Sequence, residues 1–170
     1  MRQLVLLFFL GMVLSTHDLY SFNNTICHDS VLKTITISAP NQKILLQLDY
    51  SNGCKIAQLR ISGENVLSDS GIYTGFRTKG GSFTSCSSSE GIKIEKSENR
   101  IFIKDIIYGD YSISVNESWS FQLNDDKIIW NISRKYSNLA KLEEIAFPQW
   151  CFKDLSVWKG GILDNGGMVW

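Results

Sequence analysis

YSISVNESWSFQL, residues Tyr111 to Leu123, decides the fold. Tyr111, Ile113, Val115, Glu117, Trp119, Phe121 and Leu123 fall on one face, and Ser112, Ser114, Asn116, Ser118, Ser120 and Gln122 on the other. A period of two over this length is the signature of a half-buried antiparallel strand, or of two strands joined at a bulge. Asn124-Asp125-Asp126 then supplies turn chemistry. KIIWNISRK follows, with Ile128, Trp130 and Ile132 on one face and Asn131 and Ser133 on the other. The two segments predict a long hairpin.

Working outward, the same alternation predicts strands over Leu32–Ser38, Lys43–Tyr50, Cys54–Ile61, Ile72–Arg77, Ile92–Lys96, Arg100–Ile107 and Leu142–Phe147. Ser51-Asn52-Gly53, Ser62-Gly63-Glu64-Asn65, Ser97-Glu98-Asn99 and Gly109-Asp110 punctuate them as turns. Ser82 to Ser89 is serine-rich and reads as an exposed loop. No segment of helical period survives outside the N-terminal leader. The expected fold is all-β: stacked antiparallel sheets forming a β-sandwich.

The leader is Leu4 to Leu14, LVLLFFLGMVL, preceded by Arg2. As a helix it would span roughly 16 Å, about half of a bilayer's hydrocarbon core, so it reads as a secretory signal peptide and not a membrane anchor. Cleavage after Ser15 or after Ser21 fits. The expected domains are therefore a signal peptide within residues 1–21 and a β-sandwich over 22–170, and the expected location is secreted or periplasmic. No membrane association is expected after cleavage.

The chain has 170 residues, 44% hydrophobic and 20% charged, with 17 basic residues balancing 17 acidic ones. That composition suits a folded domain. With no positive surplus to neutralise phosphates, nucleic acid is not an expected partner.

Cys27, Cys54, Cys86 and Cys151 are widely spaced and contain no C-x-x-C pair, so neither zinc ligation nor thioredoxin-type chemistry is expected. In an oxidising compartment four cysteines permit two disulfides in one of three pairings. Cys54 with Cys86 and Cys27 with Cys151 is the preferred pairing, and free thiols are the alternative. Three N-x-S/T sequons occur at Asn23, Asn116 and Asn131.

Nucleophilic catalysis finds little material. His17 leaves with the leader, His28 lies near the mature N-terminus, and no G-x-S-x-G elbow is present. Glu117 is the unusual carboxylate, because it falls on an apolar face. Buried there it could serve as an acid; the alternatives are a bulge that turns it outward, or an ion pair with Arg134 or Lys135. Glu143-Glu144 and Asp125-Asp126 are neighbours whose side chains point apart in a strand, so no acid–base couple assembles. Gly80-Gly81 and Gly160-Gly161 read as turns, not phosphate cradles. No catalytic residue, metal site or cofactor is expected in this segment.

Sugar recognition has better material. Trp119 and Trp130 sit on apolar faces and are expected in the core. Trp150 and Trp158, with Asp164 and Asn165, form the candidate carbohydrate-binding set. Rings beside short polar side chains suit pyranoses; the competing reading is an interface with a further domain. The closing Met168-Val169-Trp170 reads as a new apolar strand broken off, which implies a longer polypeptide, the C-terminus being incomplete.

The run AFPQWCFKDLSVWKGGILDNGGMVW, with NGCKIAQLRISGENVLSDSGIYTGFRT upstream and the ESWSFQL and IIWNISRKY hairpin, resembles the N-terminal β-sandwich of secreted bacterial six-hairpin glycosidase-type proteins. The resemblance implies a galactose-mutarotase-like supersandwich preceding a helical barrel. It implies glycan processing, with the catalytic carboxylates in the barrel, so none is carried onto this chain. The role it implies is a non-catalytic segment that packs against, or shapes the sugar cleft of, the C-terminal catalytic domain of the same polypeptide. A free-standing extracellular carbohydrate- or protein-binding module is the alternative.

Overall fold

A computed structural model describes residues 25–39, 43–87, 91–124 and 127–154, and the backbone of 162–164 and 167–169. The leader, the Asn23 sequon, the Asp125-Asp126 and Gly160-Gly161 turns, and Trp158, Asn165 and Trp170 lie outside the described residues.

The strands are β1 (Thr25–Asp29), β2 (Thr34–Ser38), β3 (Ile44–Asp49), β4 (Lys55–Ile61), β5 (Glu64–Asn65), β6 (Leu67–Thr78), β7 (Gly81–Thr84), β8 (Lys93–Lys96), β9 (Arg100–Gly109), β10 (Ser114–Asn124), β11 (Lys127–Tyr136), β12 (Glu144–Phe152), β13 (Ile162–Asp164) and β14 (Gly167–Val169). Among the described residues the one helical element is a 3-10 turn at Ser85–Ser87, and no helix is long and apolar enough to cross a membrane. One sheet runs β1-β2-β3-β4-β6-β12, with β5 on β4 and β7 on β6; the other runs β11-β10-β9-β8. All pairings are antiparallel, and the chain is an all-β sandwich. β13 and β14 pair with each other, so the strand at Met168-Val169 has the preceding Ile162–Asp164 as its neighbour.

The expected hairpin is β10 and β11, in register from Val115↔Tyr136 to Asn124↔Lys127. Val115, Trp119, Phe121 and Leu123 are buried with Ile101, Ile103, Ile106 and Tyr108 of β9. The larger sheet answers with Ile26, Ile35, Ile37, Leu46, Leu48, Ile56, Leu67, Ile72 and Phe76. Trp119 is fully buried, and Trp130 packs against this core from the edge strand, edge-on to Trp119 and stacked on Phe121.

Bulges set which residues face inward. Opposite β10, the register on β9 jumps from Ile106 to Ile103 while β10 moves from Glu117 to Trp119. The extra residue shifts the inward set from odd positions (Ile101, Ile103) to even ones (Ile106, Tyr108). Asp105 absorbs the shift with a φ of 60°, a left-handed conformation that Asp tolerates better than most residues. Lys93 bonds the Asp105 carboxylate at 2.8 Å, and Asn116 adds a longer bond.

Three expectations change. The serine-rich stretch is not a loop throughout, because Gly81–Thr84 forms β7 against β6. Ser85 is fully buried: its hydroxyl donates to the Cys54 carbonyl (2.7 Å) and accepts from the Thr74 amide (3.2 Å). The strand expected to end at Phe147 continues to Phe152, and Pro148 is accommodated because β12 is an edge strand.

The third concerns the cysteines, all four of which are free. Cys27 is on β1 and Cys151 on β12, the two ends of the strand order. Five inter-strand steps separate them, about 24 Å, far beyond disulfide reach. Cys54 is buried and the 3-10 turn sets Ser85, not Cys86, opposite it: the Cys54 amide donates to the Ser85 carbonyl at 2.6 Å.

Candidate functional site

Glu117 stays inward and is fully buried. It faces Arg134 directly across the β10–β11 pair, which is the expected ion pair. Arg134 Nε and Nη2 both lie 2.5 Å from Glu117 Oε1. Tyr108 donates to the same oxygen at 2.7 Å. Thr74 (2.6 Å) and the Trp119 indole (2.8 Å) donate to Oε2. The bulge on β9 does not turn Glu117 outward; it turns Tyr108 inward to meet it. Arg134 also donates to the Gly75 and Ala146 carbonyls at 3.4 Å each and lies over the Phe147 ring. Through Thr74, Gly75 and Ala146 the network ties one sheet to the other.

The electrostatics follow from this geometry. Burial, reinforced by the Glu117 charge, pushes the Tyr108 phenol well above its ordinary range. Burial alone would lower Arg134, but Tyr108 and Glu117 outweigh it and hold the guanidinium above its usual value. Glu117 is fully buried and accepts bonds on both oxygens from inside the core. The arrangement is a satisfied inter-sheet clasp, not an acid poised for substrate.

The outer surface of the larger sheet carries a different feature. Three register rows cross β12, β6 and β7. Ala146, Gly75 and Thr84 form the middle row. Gln149 and Tyr73 form one flanking row; Glu144, Arg77 and Ser82 form the other. Gly75 has no side chain and Ala146 only a methyl, so the middle row sinks into a trough of about 140 Å³. A Cβ on Gly75 would lie 2.8 Å from the Phe83 carbonyl oxygen, so the floor is held by close strand approach.

Arg77 meets Glu144 at 3.2 Å and Glu143 at 3.7 Å. The two carboxylates converge on one guanidinium, contrary to the expectation that they point apart. Glu143 precedes β12, so strand alternation does not bind it. Burial, with Cys151 beside it, raises the Tyr73 phenol.

Of the candidate sugar-binding set, Trp150 is on β12, 44% exposed and stacked on Phe152 with ring centroids 5.8 Å apart. Asp164 ends β13. Trp158 and Asn165 lie outside the described residues. His28 is exposed on β1, and its Nε2 bonds the Tyr50 hydroxyl at 2.6 Å. Among the described residues no group of three or more His, Cys, Asp or Glu side chains could hold a metal ion.

Trough residues Tyr73, Gly75, Arg77, Ala146 and Gln149 were not singled out by sequence. The available signal was a glycine in mid-strand, which marks a bulge or a close approach. Compared with family models, curated proteins and solved structures, the chain matches none.

Proposed function

We propose that the chain is a non-catalytic β-sandwich segment of a secreted carbohydrate-active enzyme, and that β12 packs against a catalytic domain of the same polypeptide. In this reading it is a galactose-mutarotase-like supersandwich of the six-hairpin glycosidase kind. One observation carries the packing role. Ile145 and Trp150 pair with the buried Phe76 and Ile72, so they share the inward face of their sheet, yet they are 55% and 44% exposed. Phe147, between them, is 51% exposed. Among the described residues the opposing sheet has fewer strands. Contiguous apolar surface at a free strand edge favours a protein contact.

Hydrogen exchange of this chain and of the longer polypeptide tests it. Amides of Ile145–Phe152 should exchange at least tenfold more slowly in the longer polypeptide. Equal rates would remove the packing role. N-terminal sequencing of exported material tests the leader, with cleavage expected after Ser15 or Ser21.

The stacked Trp150–Phe152 pair favours a second reading, a free-standing extracellular binding module. Glycan-array binding by this chain, abolished by Trp150→Ala, would support it over the packing role.

A further inference from the structure

We propose that the trough over Gly75 and Ala146 is a subsite for a single neutral sugar ring; this rests on the carbohydrate reading above but uses none of its tryptophans. An ordinary strand row fills its sheet face with side chains. Here two register partners, Gly75 and Ala146, leave the row nearly bare. The void of about 140 Å³ is close to the size of an engineered cavity, about 150 Å³, that admits one benzene molecule. A six-membered ring therefore matches its scale.

The lining selects the chemistry. Tyr73 offers an aromatic ring and a hydroxyl, Gln149 an amide, Ser82 and Thr84 hydroxyls, all at the trough. Such a set offers donors and acceptors to adjacent ring hydroxyls, while the Tyr73 ring suits the apolar face of a pyranose. At the far wall Arg77 is paired with Glu144 at 3.2 Å, and from outside the trough with Glu143 at 3.7 Å. Its charge is already answered, so the wall offers no free cation to a uronic acid, phosphate or sulfate. A neutral pyranose remains. Because the site is small and open, the dissociation constant should be on the order of 1 mM.

Amide chemical shifts of the chain, titrated with methyl glucoside, methyl galactoside, methyl mannoside and glucuronate, provide the test. At least one neutral glycoside should move the Tyr73–Arg77 and Ala146–Gln149 amides, with glucuronate at least fivefold weaker. Ala146→Leu fills the floor and should abolish these shifts; Arg77→Ala, at an exposed position, should weaken them at least threefold. Trp150→Ala should leave them unchanged. Failure of every neutral glycoside to move these amides, equal binding of glucuronate, or unchanged binding by both Ala146→Leu and Arg77→Ala would overturn the subsite. Binding that depends on Trp150 alone would also overturn it while leaving the carbohydrate reading standing. The packing role is judged separately, by hydrogen exchange.

Discussion

Glu117 and Arg134 are direct cross-strand partners, and two nitrogens of the guanidinium lie 2.5 Å from one carboxylate oxygen inside the sandwich. Their side chains are 0% and 7% exposed. Pairs so deeply buried gain attraction from low polarisability but lose hydration on both sides, so their net worth is small while the cost of breaking them is large.

Removing one partner should therefore be severe, and removing both should cost less than the two single losses added together. Glu117→Ala is expected to destabilise by about 3–5 kcal/mol, because it leaves the guanidinium buried without its anion. Glu117→Leu combined with Arg134→Met should recover only part of that loss, because Thr74, Tyr108 and Trp119 still lose their acceptor. Urea unfolding of Glu117→Leu, Arg134→Met and the double measures it, and simple additivity of the losses would contradict the clasp.

Cys54 predicts the alkaline limb of stability. Burial, with the Glu117 and Cys86 charges adding, raises the folded thiol well above its ordinary value. The unfolded thiol ionises near pH ~8.5. Above that pH the unfolded chain releases a proton that the folded chain keeps, so stability is fully present below it and falls as pH rises. The slope from this group is at most about 1.4 kcal/mol per pH unit. Denaturant midpoints from pH 8 to 10 should fall for the wild type and fall less steeply for Cys54→Ala. Parallel curves would refute the assignment.

Thiol reactivity should follow position. Cys27 is exposed and Cys54 buried. A thiol reagent under native, non-reducing conditions should label Cys27 first, and Cys54 only as the chain unfolds. In denaturant four thiols should titrate, matching the four free cysteines. A count of two or none would restore the disulfides.

Two glycines separate local strain from clash. Gly63 has a φ of +91° and open space where a methyl would sit, whereas Gly71 has a φ of +71° with the Ile56 carbonyl in the way. Gly63→Ala should cost about 1 kcal/mol from backbone strain alone. Gly71→Ala adds a collision between β6 and the β4 backbone at Ile56 and should cost clearly more. Thermal melts of the two variants side by side decide it.

Much of the architecture could be read along the chain. Alternation in Tyr111–Leu123 and Lys127–Lys135 marked both strands of the hairpin and put Glu117 on the apolar face, leaving open a bulge that turns it outward or an ion pair with Arg134 or Lys135; the pairing with Arg134 is what the cross-strand register decides. Tyr108 could not be anticipated as a third member, because its facing depends on one extra residue at Asp105. The burial of Ser85 was hidden for a related reason: a serine looks solvent-seeking until a carbonyl and an amide occupy its hydroxyl. Trp150, expected in a less regular region beyond the strand, lies within β12. The trough of the candidate site was not legible in the sequence, since Gly75 and Ala146 become neighbours only when β12 docks on β6.

Local pattern was enough for the fold class, since alternating side chains specify half-buried antiparallel strands whatever their order. Strand order, and with it the free thiols, the Glu117 clasp and the trough, was decided by tertiary pairing. Those features depend on which distant backbone edges share hydrogen bonds and on where a bulge changes which side of a strand faces inward, and neither is written in any short stretch of residues.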